Sequence, residues 1–173
     1  MFKCLEGTPK LPGKTVLMID VSGSMIGTTV SKKSDIDRLD AAMALAMLLR
    51  EICDEVEIYK FETEVTAVPN RRGFALRDAI KQNAGGGTDI GKAVKHAYNI
   101  GYSRLIVITD EQSHTHVSNP RQGRNYMVNV GTYENGVGYG PWTHIDGWSE
   151  AIVNYIIKSE DIRVDDNPEN SEE

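Results

Sequence analysis

Cysteine pairs, long apolar runs and excess basic charge are all scarce in this sequence. Two cysteines, Cys4 and Cys53, cannot make a disulfide framework. Reduced thiols in a cytoplasmic protein are the expected state. No apolar run approaches the length of a membrane span, and residues 1–14 lack the apolar core of a signal peptide. No membrane partner is therefore expected. The net charge of −6 argues against a broad nucleic-acid surface and leaves room only for a local basic patch. Internal repeats and low-complexity segments are missing from the core. So are the nucleotide fingerprints: no G-x-G-x-x-G follows the first strand-like run, and the glycines at 85–87 lack the spacing and lysine of a P-loop.

What remains is an ordinary composition over 173 residues, enough for one domain with a real core. Met1 is followed almost at once by a strand-like run, as in a stand-alone domain or a trimmed piece of a longer protein. Residues 1–13 read as a lead-in and 14–159 as the domain. Residues 160–173, "EDIRVDDNPENSEE", read as an acidic tail too poor in apolar side chains to offset its ordering entropy.

Between these ends the patterning alternates. "TVLMIDV" (15–21) and "RLIVITD" (104–110) are short, almost wholly apolar runs, the mark of buried strands. "EVEIYKFET" (55–63) and "NYMVNVG" (125–131) also read as strands, and "EVTAVP" (64–69) as an antiparallel edge hairpin partner. Helices are expected over 37–53, 74–84, 88–101 and 144–159. Strands too apolar to be wetted on one face, alternating with helices, predict an α/β open, mainly parallel, Rossmann-like sheet covered on both sides.

In such sheets ligands sit at the carboxyl ends of the strands, near the reversal of strand order. Two of the buried strands end on aspartate, Asp20 and Asp110, which would share one rim. Ser22 and Ser24 follow Asp20 in "DVSGSM", and "GGGTD" (85–89) sets Thr88 behind a flexible loop at a helix start. If that loop returns to the rim, Asp20, Ser22, Ser24, Thr88 and Asp110 converge. Two carboxylates and three hydroxyls are all oxygen donors, suited to a hard cation such as Mg²⁺, Mn²⁺ or Ca²⁺ rather than Zn²⁺. Neutral hydroxyl ligands leave such an ion electrophilic toward one more anionic oxygen from outside.

"DVSGSM", "GGGTD" and "VITDE" resemble, in order and context, the three parts of the metal-ion-dependent adhesion site of von Willebrand factor A (vWA) domains. The resemblance covers about residues 14–158. It implies a six-stranded sheet with one antiparallel edge strand, helices on both faces and the metal at the top. It implies Ser22, Ser24 and Thr88 as direct ligands, with Asp20 and Asp110 acting partly through water. It also implies a non-enzymatic role, in which a protein carboxylate completes the metal shell. "LPGKTVLMIDVSGSM", "GGGTDIGKAV", "LIVITDEQSH" and residues 126–156 are further similar to the C-terminal A domain of Ro (TROVE) proteins. Those proteins bind small non-coding RNA mainly through an N-terminal ring of helical repeats, which this chain does not contain.

Other readings stay beside this one. A strand-to-helix turn capped by serine explains Asp20, Ser22 and Ser24 taken alone. The glycine run could cradle phosphate at a helix start. A metal-dependent phosphohydrolase would use the same cation as a Lewis acid. Phosphatases with an aspartate nucleophile typically need a second aspartate two residues on, where this sequence has Ser22. Direct RNA binding would need Lys32–Lys33, Arg71–Arg72, Arg121 and Arg124 to share a face. His114 and His116 read as surface loop residues, and Trp148 as core. Tyr133, Tyr139 and Trp142 could be packing or an interface.

Overall fold

The computed structural model describes residues 5, 7–113, 115–120, 123–131 and 140–161. Six strands form one sheet: β1 (Leu11–Asp20), β2 (Cys53–Phe61), β3 (Val65–Ala67), β4 (Arg104–Thr109), β5 (Arg124–Asn129) and β6 (Thr143–Asp146). Their order is β3-β2-β1-β4-β5-β6. β3 runs antiparallel to β2 at one edge, and every other pairing is parallel. The expected α/β architecture and its antiparallel edge are thus both present. The chain builds outward from β1 in one direction and then from β4 in the other. The reversal of strand order therefore falls between β1 and β4.

Alternate residues of these strands enter two separate cores. Leu17, Ile19, Ile106 and Ile108 pack with α1 (Arg38–Ile52), α2 (Gly73–Lys81) and α4 (Ala151–Ser159). Val16, Met18, Leu105 and Val107 pack with α3 (Ile90–Ile100) on the opposite face. The period-two alternation of strand side chains explains why both sets must be apolar. Each fully buried Leu or Ile contributes about 1.5–3 kcal/mol of transfer free energy. The helix starts are held by aspartates. Asp37 accepts the Asp40 N–H at 2.7 Å before α1, and Asp89 accepts the Lys92 N–H at 2.8 Å before α3.

Several expectations need correction. β1 begins at Leu11, inside the segment read as a lead-in, and Leu11 pairs with Cys53 across an irregularity before Lys14. Gly13, with φ of 78°, accommodates that irregularity. The segment 144–159 is not one helix: β6 takes its first residues and α4 starts only at Ala151. Ile145 is the lone strongly apolar residue in β6, so a four-residue edge strand left little pattern to read. Trp148 is 37% exposed rather than core, whereas Trp142 is buried and donates its indole N–H to the Ser118 carbonyl at 3.3 Å. Glu160, read as the first tail residue, is buried. His116 is exposed as expected. Cys4, His114, Arg121, Tyr133, Tyr139 and the tail from 162 onward lie outside the described residues.

Candidate metal centre

β1 and β4 are parallel neighbours, so Asp20 and the Thr109–Asp110 pair emerge side by side at the same rim. Asp20 has no exposed surface. Its Oδ1 accepts the Ser22 N–H at 2.9 Å, and its Oδ2 accepts the Thr109 hydroxyl at 2.7 Å. Burial pushes the Asp20 carboxyl up to about 6; the hydrogen bonds from Ser22 and Thr109 oppose the rise, and the nearby Asp110 charge adds to it. Ser22 Oγ and Ser24 Oγ lie 3.2 Å apart in the short 3-10 turn (Gly23–Met25) that follows the strand.

The glycine loop does return to this rim. The Gly85 N–H donates to the Val21 carbonyl at 2.8 Å, and the Gly23 N–H donates to the Gly86 carbonyl at 3.0 Å. An added Cβ on Gly23 would sit 3.3 Å from that Gly86 oxygen, so the two loops approach with little room for side chains. Thr88 is buried at the end of this loop, one residue before the Asp89 cap of α3.

Asp110 is also buried, and it is not alone. Arg38, in the first turn of α1 and 2% exposed, donates to Asp110 Oδ2 at 2.6 Å. The Gln112 N–H approaches Asp110 Oδ1 at 3.3 Å. Gly131 packs against this pair: a Cβ there would lie 3.2 Å from Asp110 Cβ and 3.5 Å from Arg38 Cζ. The next residue, Glu111, adopts φ of 60° and is buried. Its Oε1 meets His144 Nε2 from β6, while its Oε2 has no hydrogen-bond partner among the described residues. Burial raises the Glu111 carboxyl above its ordinary value despite the pull of His144. Arg38, Thr109, Glu111 and His144 are all rim residues that sequence reasoning missed. An arginine among the apolar residues at the start of α1 was the available signal for Arg38.

The Ro60 vWA domain family model matches residues 14–131. The chain belongs to the Ro60 vWA domain family. No curated protein matches it. Among solved structures, the Deinococcus radiodurans RO (RSR) protein aligns with 82% of this chain at 16% identity and a TM-score of 0.58. This vWA domain spans 33% of that protein's length. An aerotolerance-related membrane protein from Bacteroides fragilis NCTC 9343, bearing multiple mutations to serine, aligns at 16% identity with a TM-score of 0.51. That alignment covers 68% of this chain and 67% of the other. At such identities the two structures share the fold alone. No helix among the described residues is long and apolar enough to cross a membrane.

The donor set of this vWA domain fits a hard cation. Each carboxylate oxygen offers two lone pairs, so the bonds to Ser22 and Thr109 leave Asp20 with acceptor capacity, and hydroxyl oxygens can also ligate. No group of three or more His, Cys, Asp or Glu side chains poised for a metal occurs among the described residues.

Proposed function

We propose that this vWA domain binds a divalent cation at Asp20, Ser22, Ser24, Thr88 and Asp110 and uses it to engage a carboxylate of a partner or of its own parent protein. Mg²⁺ suits the mixed set of hydroxyls, carboxylates and retained waters best, with Mn²⁺ or Ca²⁺ as substitutes. The observation that carries the reading is a fully buried Asp20 carboxylate at the reversal of strand order, with the Ser22 and Ser24 hydroxyls 3.2 Å apart just beyond it. When bound, the cation supplies an electrophilic point for an external anionic oxygen. The protein's own residues hold that point at the rim: Thr109 and Ser22 orient Asp20, and the glycine loop brings Thr88 in.

Family membership supports a parent resembling Ro proteins, a cytoplasmic ribonucleoprotein component that binds small non-coding RNA elsewhere in its chain. The basic pairs support RNA contact through the parent rather than through this domain. Lys32 and Lys33 precede α1, whereas Arg72 pairs with Glu51 at the far end of α1 at 3.6 Å. A helix of 15 residues, about 22 Å, lies between them.

Calorimetric titration with Mg²⁺ and Mn²⁺ tests the cation reading. Binding of one ion per chain, lost in Asp20→Ala while the circular-dichroism spectrum persists, is the expected result. Equal binding by Asp20→Ala contradicts it. A phosphatase screen in Mg²⁺ separates adhesion from hydrolysis: activity above that of Asp20→Ala would favour a phosphohydrolase.

A further inference from the structure

The two arms of the rim that carry Thr88 and Asp110 are fastened to each other. Asp110 opens the loop after β4, and Ser113 and Thr115 on that loop reach the start of α3. Ser113 Oγ accepts the Ile90 N–H at 3.3 Å, and Thr115 Oγ1 accepts the Gly91 N–H at 3.2 Å. The Thr115 hydroxyl donates in turn to Asp89 Oδ1 at 2.6 Å, the same oxygen that caps α3 through the Lys92 N–H. Gly91 lets the loop come this close, since a Cβ there would meet the His116 carbonyl oxygen and Thr115 Oγ1. The three gripped residues, 89–91, directly follow Thr88. On the other side, Thr88 is preceded by three glycines, of which Gly85 and Gly86 have φ of 132° and 96°. Such a run gives the arm little stiffness of its own. Its position comes from outside: from β2, where the Glu62 carbonyl accepts the Asp89 N–H at 2.9 Å, and from the loop that begins at Asp110.

We propose that Thr115 is a positioning residue that fixes the Thr88 arm against the Asp110 arm and thereby sets which cation the site prefers. The inference rests on the cation reading above and adds selectivity to it. Mg²⁺ demands near-ideal octahedral geometry with oxygens at about 2.0–2.1 Å, whereas Ca²⁺ accepts more ligands at about 2.3–2.6 Å in flexible arrangements. An ion with strict geometry loses more from a loosened arm than an ion that adapts. Thr115 is exposed, so its replacement leaves the buried core intact. It acts through Asp89 and the backbone of the first turn of α3, as a group that orients a metal ligand without being one.

The test is calorimetric titration of the full chain with Mg²⁺ and, separately, with Ca²⁺. Thr115→Val keeps the size of the side chain and removes its hydroxyl. It should weaken Mg²⁺ binding on the order of tenfold, the lower end of the scale for groups that orient metal ligands, and leave Ca²⁺ binding nearly unchanged. Thr115→Ser, which keeps the hydroxyl, should retain the wild-type ratio of the two affinities. A purely structural role for Thr115 predicts a lower unfolding midpoint with both affinities kept, or an equal loss for both ions. Either result, or a serine variant that behaves like valine, overturns the inference while leaving the cation reading in place. Should Thr115→Val fail to fold, Ser113→Ala removes the other hydroxyl of the clamp, and an unchanged Mg²⁺ to Ca²⁺ ratio there overturns it equally. Failure of the wild-type chain to bind either ion would remove the cation reading and this inference with it.

Discussion

The Thr109 hydroxyl donates to Asp20 Oδ2 at 2.7 Å and accepts the Glu111 N–H at 3.0 Å. One side chain thus joins the ends of β1 and β4 and shapes the turn that carries Asp110. All three groups are buried, so none can turn to water if the hydroxyl is lost.

Thr109→Val keeps the shape of the side chain and removes both bonds. Leaving buried polar groups without a partner costs about 1–3 kcal/mol. Urea unfolding should show a loss of that size in Thr109→Val and a smaller one in Thr109→Ser. A valine variant as stable as the wild type would show that the hydroxyl contributes nothing.

At the opposite rim, Glu160 fastens the end of α4 to the sheet. Its Oε1 accepts Arg104 Nε at 2.6 Å and the Tyr126 hydroxyl at 3.0 Å, and its Oε2 accepts Arg104 Nη2 and Arg124 Nη1. Burial pushes the Glu160 carboxyl up, but the hydrogen bonds and charge of Arg104, aided by Tyr126 and Arg124, hold it below its ordinary 4.5. A carboxyl lowered in the folded state stabilises the fold fully above its unfolded value. That contribution fades as pH falls from about 4.5 through the folded value. Glu160→Gln should cost about 3–5 kcal/mol at neutral pH, the scale for breaking a buried pair by removing one partner. The gap between wild type and variant, followed by urea unfolding, should narrow on acidification below pH 4.5. A gap independent of pH would mean that the Glu160 charge is not what fastens α4.

Gly91 sets two effects against each other. It lies in the first turn of α3, where Gly→Ala ordinarily gains about 1 kcal/mol of helix propensity. An added Cβ would, however, lie 2.5 Å from the His116 carbonyl oxygen and 2.8 Å from Thr115 Oγ1. Overpacking of this kind costs about 1–3 kcal/mol and should win. Thermal unfolding of Gly91→Ala should therefore show a lower midpoint. A raised midpoint would mean that the 115–116 segment yields freely.

The same residues show where sequence reasoning succeeds. β1 and β4 were legible because a strand buried on both faces must be apolar at nearly every position. A polar residue ending such a strand then has only the rim to occupy, which located Asp20 and Asp110. The hairpin edge at β3 was legible from the short connection before Val65 and from Pro69. β6 was not, because an edge strand holding Thr143, His144 and Asp146 around a single Ile145 has no distinctive period. Arg38 and Glu160 were missed for another reason. Their burial follows from partners 72 and 56 positions away, Asp110 and Arg104, and no local pattern encodes such a pairing. A charged residue looks solvated until its distant counter-charge is known.

The central claim is tested most directly by a crystal of the wild-type chain grown in Mn²⁺, with anomalous scattering used to locate the ion. The account predicts one Mn²⁺ at the rim between β1 and β4, in an all-oxygen shell from Ser22, Ser24 and Thr88, with Asp20 and Asp110 bound directly or through water, and with one position open to an external anionic oxygen. An ion found elsewhere, or no anomalous peak at that rim in Mn²⁺-soaked crystals, would contradict it.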